Sequence, residues 1–205
     1  LKILYYIGWL LGRILGLVCG MKRRGQRNIP RHSAFILASN HQSNLDPLLL
    51  GSWIRRQVYF FAKKELWNNR FFGWIISRTN AFPVNRQALD RQAMQHVKKV
   101  LANGYGLVFF PEGTRGNGIK LQPGKPGLGL VLKQSKQIVP IVPVYLHSTK
   151  WLLDCLLRKR GLAMVIGQPI PATEVANYLT NKQGYQALAD RVMQEIQTLK
   201  NENGY

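Results

Sequence analysis

Acidic side chains are scarce in this chain: 9 Asp plus Glu stand against 29 Lys plus Arg in 205 residues, a formal charge of +20. A surplus of that size attracts polyanions, which leaves nucleic acid and an anionic membrane surface as partner classes. Neither zinc-ligand spacing nor an RNP-type aromatic strand is present, so no nucleic-acid partner is expected. Cysteine is equally sparse. Cys19 and Cys155 are too few for a disulfide framework, and a reducing cytoplasmic face is the default compartment. Neither has a histidine beside it, and no Gly-x-Ser-x-Gly elbow occurs, so the common covalent nucleophiles are missing. No grouping of ligand residues suggests a metal, and no cofactor is called for.

What the chain has instead is an apolar start. Residues 1–20 (LKILYYIGWLLGRILGLVCG) carry Tyr5, Tyr6 and Trp9 and run into a basic cluster at 21–27. Aromatic and basic residues at the edge of an apolar run are interfacial anchors. The run is barely as long as the roughly 20 residues a bilayer crossing needs, and Arg13 would fall near mid-depth. An interfacial helix dipping into one leaflet is expected, with a true span and a buried core helix as alternatives. This divides the chain into a membrane-associating segment, residues 1–24, and a catalytic domain, residues 25–205. Membrane association at the cytoplasmic face follows as the expected location.

Beyond it, strand-like and helix-like pieces alternate. Strands are expected at 33–39, 57–63, 80–84, 105–110, 138–146 and 163–170, and helices at 47–54, 86–103 and 184–199. Tyr185, Leu188, Val192, Ile196 and Leu199 form one stripe of the last helix, and Gly104 is a natural stop for the middle one. The pattern predicts an α/β fold: a single domain with a mixed sheet flanked by helices and an N-terminal membrane-associated helix. Trp67, Phe71, Phe72 and Trp74 are assigned to core packing.

Two segments carry chemistry. The first, Asn40-His41-Gln42-Ser43-Asn44-Leu45-Asp46-Pro47, puts an imidazole and a carboxylate five positions apart, just past a strand's carboxyl end, where ligands of open α/β sheets bind. On one helix the two side chains would diverge by roughly 140°. They meet only if the chain reverses at Ser43-Asn44, both turn formers. A carboxylate that takes the proton of one ring nitrogen leaves the other basic, and with no nucleophile in the chain the proton's source is a substrate hydroxyl. The plainer alternative is a surface histidine before an ordinary Asp-Pro helix cap. The second segment, Pro111-Glu112-Gly113-Thr114-Arg115-Gly116, follows the apolar run 105–110. Arg115 offers a bidentate grip on phosphate, and Glu112 either aims that arginine or binds a substrate hydroxyl. A solvated loop with a surface Glu-Arg pair is the alternative.

Together the NHxxxxDP and FPEGTR segments resemble those of the glycerolipid acyltransferases, most closely the lysophosphatidate (1-acylglycerol-3-phosphate) acyltransferases. The resemblance implies His41 as general base and Asp46 as the acid that orients it. It implies that Glu112, Gly113, Thr114 and Arg115 hold the glycerol phosphate, with Arg86 as a second phosphate contact and Lys125, before Pro126-Gly127, as a further one. Ile141-Val142-Pro143-Val144 matches a fourth block, which family precedent links to the acyl side. The implied substrates are lysophosphatidate and acyl-CoA or acyl carrier protein, and the implied product is phosphatidate. Alternatives are another acceptor, such as glycerol-3-phosphate, another lysophospholipid or a lipid A precursor, and a non-catalytic basic module that binds membranes.

Overall fold

The computed structural model describes residues 3–84 and 91–205, the side chain of Phe72 excepted. The apolar runs, with one basic segment, become strands of one sheet: β1 (Lys22–Arg24), β2 (Phe35–Ser39), β3 (Val58–Lys63), β4 (Ala81–Val84), β5 (Gly106–Phe109), β6 (Ile141–His147) and β7 (Ala163–Ile166). Their spatial order is β1-β7-β6-β2-β5-β3-β4. The five strands from β6 to β4 run parallel and β7 is antiparallel to β6, so the sheet is mixed. Successive side chains of β2 alternate between its faces. Ile36 and Ala38 join one apolar cluster, Phe35 and Leu37 the other, and all four are fully buried. A parallel sheet covered on both sides needs such continuously apolar strands.

Among the described residues eight α-helices accompany the sheet: α1 (Ile3–Val18), α2 (Asp46–Trp53), α3 (Arg70–Ile76), α4 (Arg91–Ala102), α5 (Gly127–Ser135), α6 (Leu152–Leu156), α7 (Ala172–Tyr178) and α8 (Lys182–Glu202). α4, α5, α7 and α8 cover one face; α2 and α6 cover the other. The expected stripe of α8 is the buried one, through Leu188, Val192, Ile196 and Leu199. Its start is set by Asn181, whose side chain accepts from Gly184 N at 2.9 Å. α5 begins directly after Pro126, which lacks the amide hydrogen a helix interior needs. Gly104, at φ 77, ends the segment after α4.

Three features depart from the sequence reading. Part of the basic cluster is a strand: Lys22, Arg23 and Arg24 pair with Ala163, Met164 and Val165, at the sheet's edge, where exposed charged side chains are tolerated. The aromatic stretch around α3 is not core, since Phe71 is 71% and Trp74 48% exposed. The third departure is α1, which is half docked. Gly12 and Gly16 are its buried residues, and a Cβ on either would stand 2.0 Å from Ser52 Oγ or 2.5 Å from Trp53 Nε1. Glycine therefore lets α1 lie directly on α2, and Trp53 Nε1 donates to Gly12 O at 3.2 Å. On the opposite side Tyr6, Leu10, Leu11 and Leu17 remain 53–65% exposed. Arg13 is held between the rings of Trp9 and Trp53, at 4.3 and 4.9 Å from their centroids. No helix among the described residues is long and apolar enough to cross a membrane.

Candidate active site

β2 delivers His41 and α2 delivers Asp46, and the chain reverses between them as Ser43 and Asn44 suggested. Asp46 N donates to Ser43 O at 3.2 Å, closing the turn, and Ser43 Oγ accepts from Leu45 N. His41 Nδ1 then lies 2.7 Å from Asp46 Oδ2. The same oxygen accepts the amides of Gln42 and Ser43 at 2.6 and 2.8 Å. Asp46 is fully buried and His41 nearly so. A carboxylate that accepts from Nδ1–H leaves Nε2 with its lone pair, the tautomer a base requires. The aspartate is not the helix cap of the plainer alternative. It is the helix's first residue, Leu45 occupies the cap, and the carboxylate reaches back to the turn and the imidazole.

Two contacts fix the ring further. Phe110, the last residue of the second apolar run, stacks on it at 4.0 Å between centroids and 17° between planes. Asn40, buried beside His41, locks β2 to β6: its Nδ2 donates to Leu146 O at 2.9 Å and its Oδ1 accepts Leu146 N at 2.7 Å. The sequence reading missed both. An asparagine next to the histidine was the available signal for one; the apolar run concealed the other.

The second segment starts where β5 ends, and β5 pairs with β2. Glu112 is 2% exposed and spends both oxygens on backbone amides, Oε1 accepting His41 N at 2.9 Å and Oε2 accepting Gln122 N at 3.2 Å. Burial pushes its pKa up, against the opposing pull of those two amides and of His41. It does not aim Arg115. The guanidinium instead donates to Asn44 Oδ1 at 3.0 Å, tying the second segment to the first. Gly113 turns at φ 70, and a Cβ there would stand 3.2 Å from the stem of Lys125, which places that exposed lysine against the turn but not on the cavity wall. Thr114 donates to Gln122 Oε1 at 3.1 Å. Arg86 lies outside the described residues. The fourth block, residues 141–144, sits inside β6 and is buried, paired to β2 rather than facing the cavity.

His41, Asn44, Thr114 and Arg115 share the wall of one cavity of about 990 Å³. Its other walls include Tyr5, Gly8 and Trp9 of α1, Leu48, Gly51 and Ser52 of α2, and Phe60 and Phe61 of β3, with Lys63 and Lys150 also lining it. A polar end with an imidazole and a guanidinium thus opens into a largely apolar space large enough for a hydrocarbon chain. The amides of His41, Gln42, Ser43 and Gly116 all have intramolecular acceptors. No group of three or more metal-ligating side chains occurs among the described residues.

The model of one protein family, described as Acyltransferase, matches residues 20–147, which span both segments and end with β6. The 1-acyl-sn-glycerol-3-phosphate acyltransferase of Bacillus subtilis (strain 168) is 30% identical over 189 residues, 92% of this chain and 92% of that protein. The protein of the same name from Streptococcus pneumoniae is 32% identical over 170 residues, 82% of this chain and 61% of that one. The crystal structure of the 1-acyl-sn-glycerophosphate acyltransferase of Thermotoga maritima superposes with a TM-score of 0.72 over 98% of this chain and 80% of that one; at 21% identity the likeness is one of fold.

Proposed function

The chain belongs to the acyltransferase family, and from that premise we infer that it moves a fatty acyl group from a thioester to the sn-2 hydroxyl of 1-acyl-glycerol-3-phosphate, giving phosphatidate. One observation carries the mechanism: an Asp-oriented imidazole and an exposed guanidinium open on the same largely apolar cavity. Arg115 binds the phosphate of lysophosphatidate and so brings the free hydroxyl to His41, which replaces much of the entropic barrier with binding. Nε2 of His41 takes the hydroxyl proton while Asp46 stabilises the imidazolium. The alkoxide attacks the thioester carbonyl. The tetrahedral adduct collapses, the C–S bond breaks, and the departing thiolate takes the proton from His41, which frees CoA or acyl carrier protein as the thiol. Glu112 acts through the backbone of His41, and Gly113 and Thr114 shape the turn that presents Arg115.

The membrane is the second element. The apolar side of α1 that the fold leaves uncovered, with Phe71 and Trp74 of α3, is the face that enters one leaflet. One side of α1 is held on α2 through Gly12 and Gly16 while the other is uncovered, the arrangement of a helix that lies in the interface. The basic residues that follow meet anionic headgroups, each attracted by about 1 kcal/mol. The uncovered side of α1 then holds the enzyme at the cytoplasmic face; the 24/25 boundary is not a clean division, since Tyr5, Gly8 and Trp9 wall the cavity and Lys22–Arg24 are a strand of the sheet. Incubation with labelled acyl-CoA, vesicles and a panel of acceptors tests the assignment. Lysophosphatidate is the expected acceptor; transfer only to glycerol-3-phosphate or to phosphate-free lysophospholipids would reassign it. Flotation with anionic vesicles, lost on Leu10→Lys/Leu17→Lys, tests the docking face.

A further inference from the structure

If the chain performs this transfer, two phosphate-bearing substrates meet at one imidazole, and Arg115 serves only one of them. β6, β2, β5 and β3 are neighbours, all parallel, so their carboxyl ends lie along one edge. In that order they lead to Lys150, His41, Arg115 and Lys63, and all four line the large cavity. The strand that leads to the base, β2, therefore lies between β6, which leads to Lys150, and β5, which leads to Arg115. We propose that Lys150 binds the phosphate of the acyl donor's phosphopantetheine arm, whether coenzyme A or a carrier protein bears it. This inference rests on the acyl-transfer reading above.

The chain is shaped to present this lysine. After β6 it turns at Ser148, a left-handed residue with φ 61 that is 1% exposed. Its carbonyl accepts the amide of Trp151 at 3.0 Å and the thiol of Cys155 at 3.6 Å, which fixes the turn. Gly118 lies against the result: a Cβ there would stand 2.6 Å from the Trp151 ring and 3.4 Å from Lys150 Cδ. The loop that carries Arg115 thus packs, at Gly118, on Trp151 and the stem of Lys150. Among the described residues Lys150 has no ion-pair partner, whereas Arg160, over the Trp151 ring, is paired with Asp154. A phosphopantetheine arm separates its thioester from its phosphate by a long chain, so its cation belongs at the cavity's exposed rim, where Lys150 stands.

Initial rates of the full-length wild type, Lys150→Ala and Lys150→Arg are compared with three donors: acyl-CoA, acyl carrier protein thioester, and an acyl-pantetheine lacking phosphate. Lys150→Ala is expected to raise the KM of a phosphate-bearing donor roughly tenfold or more, the scale of a charge-assisted contact. The acceptor KM and kcat are expected to stay unchanged, acyl-pantetheine to show no difference, and Lys150→Arg to restore the donor KM. A rise with one carrier only supports the contact and identifies that carrier as the source. An unchanged donor KM, an equal rise with acyl-pantetheine, or a rise in acceptor KM would overturn it. A wild type that transfers from none of the three removes the acyltransferase reading itself, and this inference with it.

Discussion

Glu112→Gln preserves shape and removes one acceptor from a buried site. The wild-type carboxylate serves two backbone donors, His41 N at 2.9 Å and Gln122 N at 3.2 Å, with 2% of the residue exposed. A glutamine has one carbonyl oxygen. Whichever amide it accepts, its NH2 faces the other N–H and leaves a buried donor unpaired, at about 1–3 kcal/mol. Loss of the charge also relieves the desolvation that raises the pKa of Glu112, which moves the expected cost to the lower part of that range. At roughly 2–4 °C per kcal/mol for a domain of this size, Tm should fall by several degrees. If the retained bond is to Gln122, the His41 backbone shifts, and an ångström-scale misplacement of a base costs up to about 100-fold. The expected result is a kcat lower by roughly 10- to 100-fold with little change in acceptor KM. Acyl transfer measured over a range of lysophosphatidate concentrations, with thermal unfolding beside it, reads both quantities. An unchanged kcat and Tm with a raised acceptor KM would refute this reasoning, because it would mean that Glu112 touches substrate and not the backbone.

Arg115→Ala should raise the acceptor KM by roughly tenfold or more and leave the donor KM alone, since a charge-assisted phosphate contact is lost; unchanged acceptor kinetics would remove it from the phosphate site. Gly16→Val forces α1 off Trp53, because even its Cβ would stand 2.5 Å from Nε1, and overpacking of this kind costs about 1–3 kcal/mol. A Tm equal to wild type would show that the α1–α2 contact does not exist in solution. His147 has its pKa lowered from 6.5 by burial and then by Arg160 and Lys200, so the unfolded chain takes up this proton before the folded one. Stability from this group is present above 6.5 and is lost as pH falls through the lowered folded value. His147→Gln should flatten the acid side of the Tm–pH curve, and curves of equal slope would contradict the assignment.

Patterns that are local in sequence were legible, and those that depend on a distant partner were not. The cores of β2 to β6 and the stripe of α8 follow from runs and periods that burial on the sheet demands. β1 was hidden because three consecutive basic residues become a strand only through β7, which lies some 140 positions on in the register Lys22 to Ala163. The His41–Asp46 pair was readable because the turn that joins them is written in Ser43 and Asn44. The role of Glu112 was not, since its partner is a backbone amide 71 positions away, invisible to any side-chain pattern. Phe71 and Trp74 misled for a related reason: an aromatic reads the same whether it faces a core or lies exposed. Nor does the spacing of the two segments reveal Asn44 as the anchor of Arg115.

The base is tested most directly by mass spectrometry of the lipid formed from a defined acyl thioester and 1-acyl-glycerol-3-phosphate, by wild type and by His41→Ala at equal concentration. Circular dichroism confirms that both are folded. Wild type should yield phosphatidate carrying the donor's chain at sn-2, and His41→Ala should yield none above the enzyme-free background. Phosphatidate formed by folded His41→Ala at a rate near that of wild type would contradict the assignment of the imidazole as the group that takes the proton.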